Sequence, residues 1–169
     1  MTPGRALAAA LVAVSLLPGC AMRPLYAGGG DSAVVASLGR VDVAPIAGKA
    51  GWLVRNAVAD RLGNPGASPQ YRLEVELDDQ ITGFGIRTDN AVTRERRTLR
   101  ARYRLVDAAQ GTVLLDQTAG SDAGVDVVSS EYATIAAEET ALERLAEDVA
   151  TQIVTRLALY SQRTARPAR

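Results

Sequence analysis

The stretch from Thr98 to Val106, TLRARYRLV, alternates apolar and basic residues without interruption. A period of two places every second side chain on the same face of a β-strand. One face carries Leu99, Ala101, Tyr103 and Leu105, and the other carries Arg100, Arg102 and Arg104. The stretch therefore predicts a half-buried strand with a stripe of arginines on its exposed face.

Neighbouring segments supply partners for this strand. Residues 71–78, YRLEVELD, alternate in the same way, with acidic side chains on the polar face. Residues 81–97 are typical of a long extended hairpin with a polar tip, and residues 112–117 return after a turn. A short strand is predicted near residues 41–46, at an edge because of Pro45, and a separate strand piece at residues 125–128. Together they predict an antiparallel or mixed sheet of about four strands.

Two segments have helical periodicity. In residues 51–62, Leu53, Val54, Ala57, Val58 and Leu62 share one face. Trp52, the only tryptophan, is expected in the core beside the first turn. A second helix is expected from the N-cap Ser130 to Ser161, and its apolar stripe consists of Ile135, Leu142, Leu145, Val149, Ile153, Leu157 and Tyr160. The simplest arrangement is an α+β fold with both helices on one face of the sheet.

The N-terminal region is typical of an export signal. The uncharged run from Ala6 to Leu17 follows Arg5 and is shorter than the roughly 20 residues of a membrane span. It ends in Leu-Pro-Gly-Cys, which is similar to a lipobox with Cys20 as the lipidated residue. An ordinary secretory signal, with Cys20 as an incidental thiol, is the alternative.

These features divide the chain into four regions. Residues 1–19 are the predicted signal peptide, and residues 20–39 a lipidated N-terminus with a flexible, glycine-rich tether. Residues 40–161 form a single α+β domain, and residues 162–169 a frayed basic tail.

Composition argues against an enzyme. The chain has one cysteine, no histidine and a formal net charge of zero. A histidine-based triad, an internal disulfide and a cysteine–histidine zinc site are excluded, and no cofactor or nucleic-acid partner is predicted. Asp78 and Asp79 are adjacent, but neighbouring residues of a strand point to opposite faces, so they do not form a converging catalytic pair.

The arginines are the candidate binding residues. Those of the stripe face Glu74, Glu76 and Asp78 of the neighbouring strand, so simple pairing across the ladder is one interpretation. The other is a surface that binds the phosphates of a glycolipid. The arginines near the hairpin tip have fewer acidic neighbours in sequence, which favours them as an unpaired anion site. The full candidate set is Arg87, Arg94, Arg96, Arg97, Arg100 and Arg102.

Several segments together resemble the LptE family of lipopolysaccharide-assembly lipoproteins, in its alphaproteobacterial form. They are CAMRPLY at 20–26, LVRNA at 53–57, DRL at 60–62, YRL at 71–73, Ile86, Thr93-Arg94, ARYRLVD at 101–107, SEYA at 130–133, Ala137-Glu138 and Ala141. Their order and spacing span almost the whole chain after residue 19.

The resemblance implies two helices on a small sheet and a non-catalytic role in the outer membrane. It implies that the protein plugs the β-barrel LptD, assists the assembly of that barrel, and contacts lipopolysaccharide on its way to the outer leaflet. Ala21, after Cys20, fits sorting to the outer membrane. Two other functions stay open at this point: an auxiliary lipoprotein of an envelope phospholipid-transport complex, and a structural lipoprotein that contacts peptidoglycan.

Overall fold

A computed structural model describes residues 38–63, 65–86 and 92–164. The predicted signal peptide, Cys20, most of the tether, Arg87 and the last five residues lie outside the described residues. The elements in chain order are β1 (Val41–Val43), α1 (Gly48–Leu62), β2 (Tyr71–Ile86), β3 (Val92–Asp107), β4 (Val113–Asp126) and α2 (Glu131–Thr164).

The four strands form one sheet in the order β1-β2-β3-β4. The short β1 runs parallel to the start of β2, and the other two pairings are antiparallel. β2 and β3 have 16 residues each, so the hairpin is about 50 Å long. The structure confirms the predicted α+β class, the mixed sheet and the extended hairpin.

Both helices pack on the same face, here called the inner face; the opposite one is the outer face. The inner face is built from the alternating apolar residues that the sequence predicts. Leu73, Leu99, Ala101 and Tyr103 are fully buried there, against Val149, Ile153 and Ala158 of α2 and Val54 and Val58 of α1. Burial of each leucine, isoleucine or valine side chain contributes about 1.5–3 kcal/mol, so this packing holds the sheet and the helices together.

Trp52 is not in the core as expected, because its side chain is 63 % exposed. The residue before it, Gly51, is the buried one. A methyl group at Gly51 would lie only 2.6 Å from the carbonyl oxygen of Ile46. The helix backbone therefore packs directly on the segment after β1, and the large indole projects away from that contact.

Other boundaries differ from the sequence prediction. β4 is continuous to Asp126 rather than ending near 117, because β3 pairs with it along its length. Ile135 is 48 % exposed although it lies in the predicted stripe of α2. Leu38 is buried in the core, and α2 continues to Thr164. In the part of the chain that the structure describes, neither helix is long and apolar enough to cross a membrane.

Candidate binding site on the outer face of the sheet

The outer face of the sheet has no helix over it and carries mostly charged side chains. β3 lies in the middle and presents five arginines, which are Arg94, Arg96, Arg100, Arg102 and Arg104. Acidic residues flank them on both sides: Glu74, Glu76 and Asp78 on β2, and Asp116, Asp122 and Asp126 on β4. The arginine stripe is thus enclosed by two rows of carboxylates.

Most of these arginines have carboxylate partners. Arg102 binds Asp116 through two nitrogens, at 2.7 and 3.1 Å, and this contact holds the pKa of Asp116 below its usual range. Arg104 lies 3.3 Å from Glu74. These pairs are exposed to solvent, so each contributes little to stability.

The two tip arginines on this face are also paired. Arg94 donates to Asp126 at 2.9 Å, and Arg96 lies 3.9 Å from Asp122. The guanidinium of Arg96 also lies 5.5 Å from the ring centre of Phe84, within the range of a cation–π contact. Arg94 and Arg96 are therefore paired, whereas the sequence favoured the tip arginines as an unpaired anion site.

Arg100 differs from its neighbours. Among the described residues, no carboxylate lies within 4 Å of its guanidinium. Its side chain lies over Gly120 of β4, where a methyl group would come within 2.9 Å of the arginine Cδ. The missing side chain at Gly120 therefore lets Arg100 extend toward the edge of the sheet.

At that edge, a groove of about 620 Å³ is open to solvent. Arg100 and Arg102 line it from β3, and Gln152 and Arg156 line it from α2. Gln152 and Arg156 bind the edge of β4, because the Gln152 amide donates to the Gly120 carbonyl and Arg156 donates to the Thr118 carbonyl. Three guanidinium groups thus line one groove, and one of them, Arg100, has no ion-pair partner among the described residues and bonds no backbone carbonyl there. The groove is therefore a candidate anion site. Glu76 and Asp78 also line it and lower its positive charge.

Arg97 lies on the inner face, apart from the other candidates. It forms a fork onto Asp79, at 2.6 and 2.9 Å, and donates at 2.9 Å to the Glu138 carbonyl of α2. Its side chain is only 12 % exposed. In this position Arg97 joins the hairpin to the second helix. Asp79 faces inward and Asp78 outward, as the strand alternation predicts.

Sequence reasoning missed the carboxylates of β4. Asp116, Asp122 and Asp126 are 14 to 32 positions away from the arginines that they bind. Only the strand register brings them together. The side of the sheet on which Arg97 lies, in contrast, could be predicted from the local sequence, because Arg97 is two positions before the inward-facing Leu99.

A second charged cluster lies next to Arg97. The Glu95 carboxylate has a buried oxygen with no hydrogen-bond partner among the described residues. Burial and the adjacent Glu95 carboxylate raise the pKa of Glu138, while Arg97 opposes this shift. A proton on Glu138 removes the repulsion and supplies a donor for the unpaired oxygen.

The Glu138 pair predicts a dependence of stability on pH. Because the pKa of Glu138 is raised in the folded protein, protonation of Glu138 stabilises the fold. This stabilisation is complete below the ordinary pKa of a glutamate and is lost as the pH rises through the folded-state pKa. We expect Glu138→Gln to be more stable than the unsubstituted protein at pH 8 by about 0.5 kcal/mol, and the difference to vanish near pH 4. Urea denaturation across this range measures it. Glu143→Gln, at an exposed position of the same helix, is the control. An equal pH profile for the Glu138 variant and the unsubstituted protein would contradict the pairing.

Comparisons with known proteins agree with this architecture. A family model described as LptE, lipopolysaccharide-assembly, matches residues 38–157. A comparison with curated proteins gives no match.

Among solved structures, a putative lipoprotein from Caulobacter crescentus is similar with a TM-score of 0.65 and 25 % identity, over 76 % of this chain and 96 % of that one. The rare lipoprotein B from Shewanella oneidensis has a TM-score of 0.59 and 8 % identity, over 75 % and 97 % of the two chains. An uncharacterized lipoprotein B from Nitrosomonas europaea has a TM-score of 0.55 and 15 % identity, over 72 % and 82 %. The last two likenesses concern the fold alone.

Proposed function

The chain belongs to the LptE family of lipopolysaccharide-assembly lipoproteins, and from this premise we propose that it acts in the outer membrane as a non-catalytic plug. In this role it sits in the lumen of the β-barrel LptD, assists the assembly of that barrel, and assists the transport of lipopolysaccharide to the outer leaflet.

The observation that carries the proposal is the outer face of the sheet. A helix-free surface along a hairpin of about 50 Å is covered by alternating arginines and carboxylates. Such a surface is well solvated and has no net preference for lipid. The lumen of a large barrel is polar and water-filled, so this face matches it in chemistry, while the apolar core residues lie between the sheet and the helices.

Anchoring supports the same role. Acyl chains on Cys20 would hold the protein at the membrane, because each buried CH₂ contributes about 0.8 kcal/mol. A tether between residues 20 and 38 would keep the domain close to a barrel in the same membrane and raise its effective concentration there. Association with the barrel then needs only modest contact energy.

Arg100 is the residue best suited to contact lipopolysaccharide. Its guanidinium needs to give up no carboxylate, and phosphates accept forked hydrogen bonds from arginine. The candidates Arg94, Arg96 and Arg102 would first have to release their partners. Arg97 would have to abandon a nearly buried pair, so it is the poorest candidate. Arg87 lies outside the described residues and remains a candidate.

We expect Arg100→Ala to weaken the binding of purified lipopolysaccharide about tenfold, because one charge-assisted contact to phosphate is lost. Arg102→Ala is the matched control on the same strand and face, with an expected loss below about threefold. Binding is measured with the protein immobilised and lipopolysaccharide below its aggregation threshold. Equal losses for both variants would show that contact is spread over the stripe. No loss with Arg100→Ala would remove the groove from the hypothesis.

The plug role itself is tested by affinity capture of the lipidated full chain from detergent-solubilised outer membrane, followed by mass spectrometry. One large β-barrel protein recovered in equal amount is the expected result. Recovery of phospholipid-transport subunits would favour the auxiliary role, and co-sedimentation with peptidoglycan would favour the structural role. Either result without a barrel overturns the proposal.

A further inference from the structure

The hairpin has a long side without a strand partner. β1 pairs only with Tyr71–Leu73 of β2, and the last backbone bond on that side is donated by Ala44 to the Leu73 carbonyl, at 2.9 Å. Over the rest of β2 as far as Phe84, no backbone group of the described residues bonds to this side. We call residues 75–84 on this side the free edge.

The direction of the backbone groups follows from the register. In an antiparallel strand, the N–H and C=O of one residue point to the same side, and the side alternates with each residue. β2 and β3 pair without a shift from Tyr71 to Phe84, and the Leu73 carbonyl points toward β1. The odd-numbered residues Val75, Leu77, Asp79, Ile81 and Gly83 therefore direct their N–H and C=O groups to the free edge.

One half of this edge is protected and the other is not. Natural sheets protect exposed edges with charged residues or proline. Glu76, Asp78 and Asp79 do so in the first half. Residues 80–84, QITGF, have no charge and no proline, and Ile81 and Phe84 are 44 % and 40 % exposed. An unprotected edge in a folded protein is a template for an added strand.

The end of the free edge is also defined. Gly85 has a positive φ of 77°, and its carbonyl accepts a hydrogen bond from the Thr93 hydroxyl at 2.8 Å. The register between the strands skips this position, since Phe84 pairs with Arg94 and Ile86 with Val92. The backbone turns there, so an added strand can follow the edge only as far as Phe84.

We infer that this edge binds an extended segment of the barrel partner by strand addition, an inference that rests on the proposed plug function. The segment is uncharged over about five residues where it meets residues 80–84. It carries lysine or arginine where it meets Glu76 and Asp78. Backbone hydrogen bonds to Ile81 and Gly83 supply affinity, and the acidic half of the edge sets the register.

A second copy of the chain is a poorer occupant. An antiparallel pairing of two neutral stretches involves only five residues of each copy, well below the roughly 1,200 Å² of a stable interface. A longer overlap, from Glu76 to Phe84, places Asp78 opposite Thr82 and Asp79 opposite Ile81. The free edge contains no lysine or arginine, so the carboxylates of one copy find no basic partner on the other.

The test substitutes Gly83, whose N–H points to the free edge and takes no part in the β2–β3 ladder. Gly83→Pro removes this N–H and adds a ring at the edge, while Gly83→Ala keeps the N–H and is the matched control. Each lipidated full chain is captured from solubilised outer membrane, and the recovered barrel is quantified by mass spectrometry. Thermal denaturation of each variant reports whether the fold is intact.

We expect the unsubstituted protein and Gly83→Ala to recover equal amounts of barrel, and Gly83→Pro at least about tenfold less, with a similar melting temperature. If Gly83→Pro does not fold, Ile81→Lys serves instead, since an inward-pointing charge protects an edge while keeping its N–H. Full recovery with a folded edge variant overturns the strand addition and leaves the plug function in place. Absence of any barrel with the unsubstituted protein overturns both.

Discussion

Replacement of Arg97 by alanine is expected to destabilise the protein by about 3 kcal/mol. The guanidinium is only 12 % exposed, and it satisfies both Asp79 oxygens and the Glu138 carbonyl. Without it, Asp79 loses its partner in a partly buried position, and the Glu95–Glu138 pair loses the positive charge that offsets its repulsion. Removal of one partner of such a pair costs more than the net contribution of the intact pair.

Urea denaturation at pH 7 measures this effect, and amide exchange locates it. Exchange should increase most in the distal half of the hairpin and the first turns of α2, which Arg97 joins. Arg102→Ala is the control, because it breaks an exposed pair on the other face and should have little effect on stability. A loss at Arg97 as small as that at Arg102 would show that the pair carries no structural role.

The second large effect is expected at Gly51, where alanine should destabilise the protein by about 3 kcal/mol. Helix propensity alone predicts the opposite sign, since alanine in a helix interior is about 1 kcal/mol better than glycine. At Gly51 the added methyl group would lie 2.6 Å from the Ile46 oxygen and 2.7 Å from its carbonyl carbon. These are backbone atoms, so the clash is relieved only if α1 moves away from the segment after β1.

Ala59→Gly, in the same helix, is the matched reverse exchange and should cost about 1 kcal/mol by propensity. Both alanine-glycine exchanges then destabilise the protein, although one adds and the other removes a methyl group. Thermal or urea denaturation of the two variants is sufficient. A stabilised Gly51→Ala variant would mean that α1 does not approach the Ile46 backbone this closely.

Local periodicity predicted most of the fold. The alternation of residues 71–78 and 98–106 determined which face of each strand is buried, and the apolar stripe of the second helix showed what covers that face. These signals are local, because strand and helix geometry repeat over a few residues. The continuous β4 was missed because residues 118–124, TAGSDAG, have low strand propensity, and their strand conformation depends on pairing with β3.

The candidate site was less predictable. Whether an arginine is free depends on the carboxylates opposite it, and those of β4 become neighbours only through the long-range register. The exposed position of Trp52 likewise depends on the close contact at Gly51, which composition does not reveal. The resemblance to a known family implied the architecture as a whole. It did not indicate that Arg97 joins the hairpin to α2, or that Arg100 has no carboxylate partner among the described residues.

The order of the elements along the chain also has a consequence for biogenesis. α2 contributes twelve buried residues and is the last of the described elements. Until it is synthesised, α1 covers only part of the apolar face of the sheet, and long-range sheet pairing is slow to form. The elements before α2 therefore leave much of this apolar face exposed until the final helix docks, so completion of the fold is a late event.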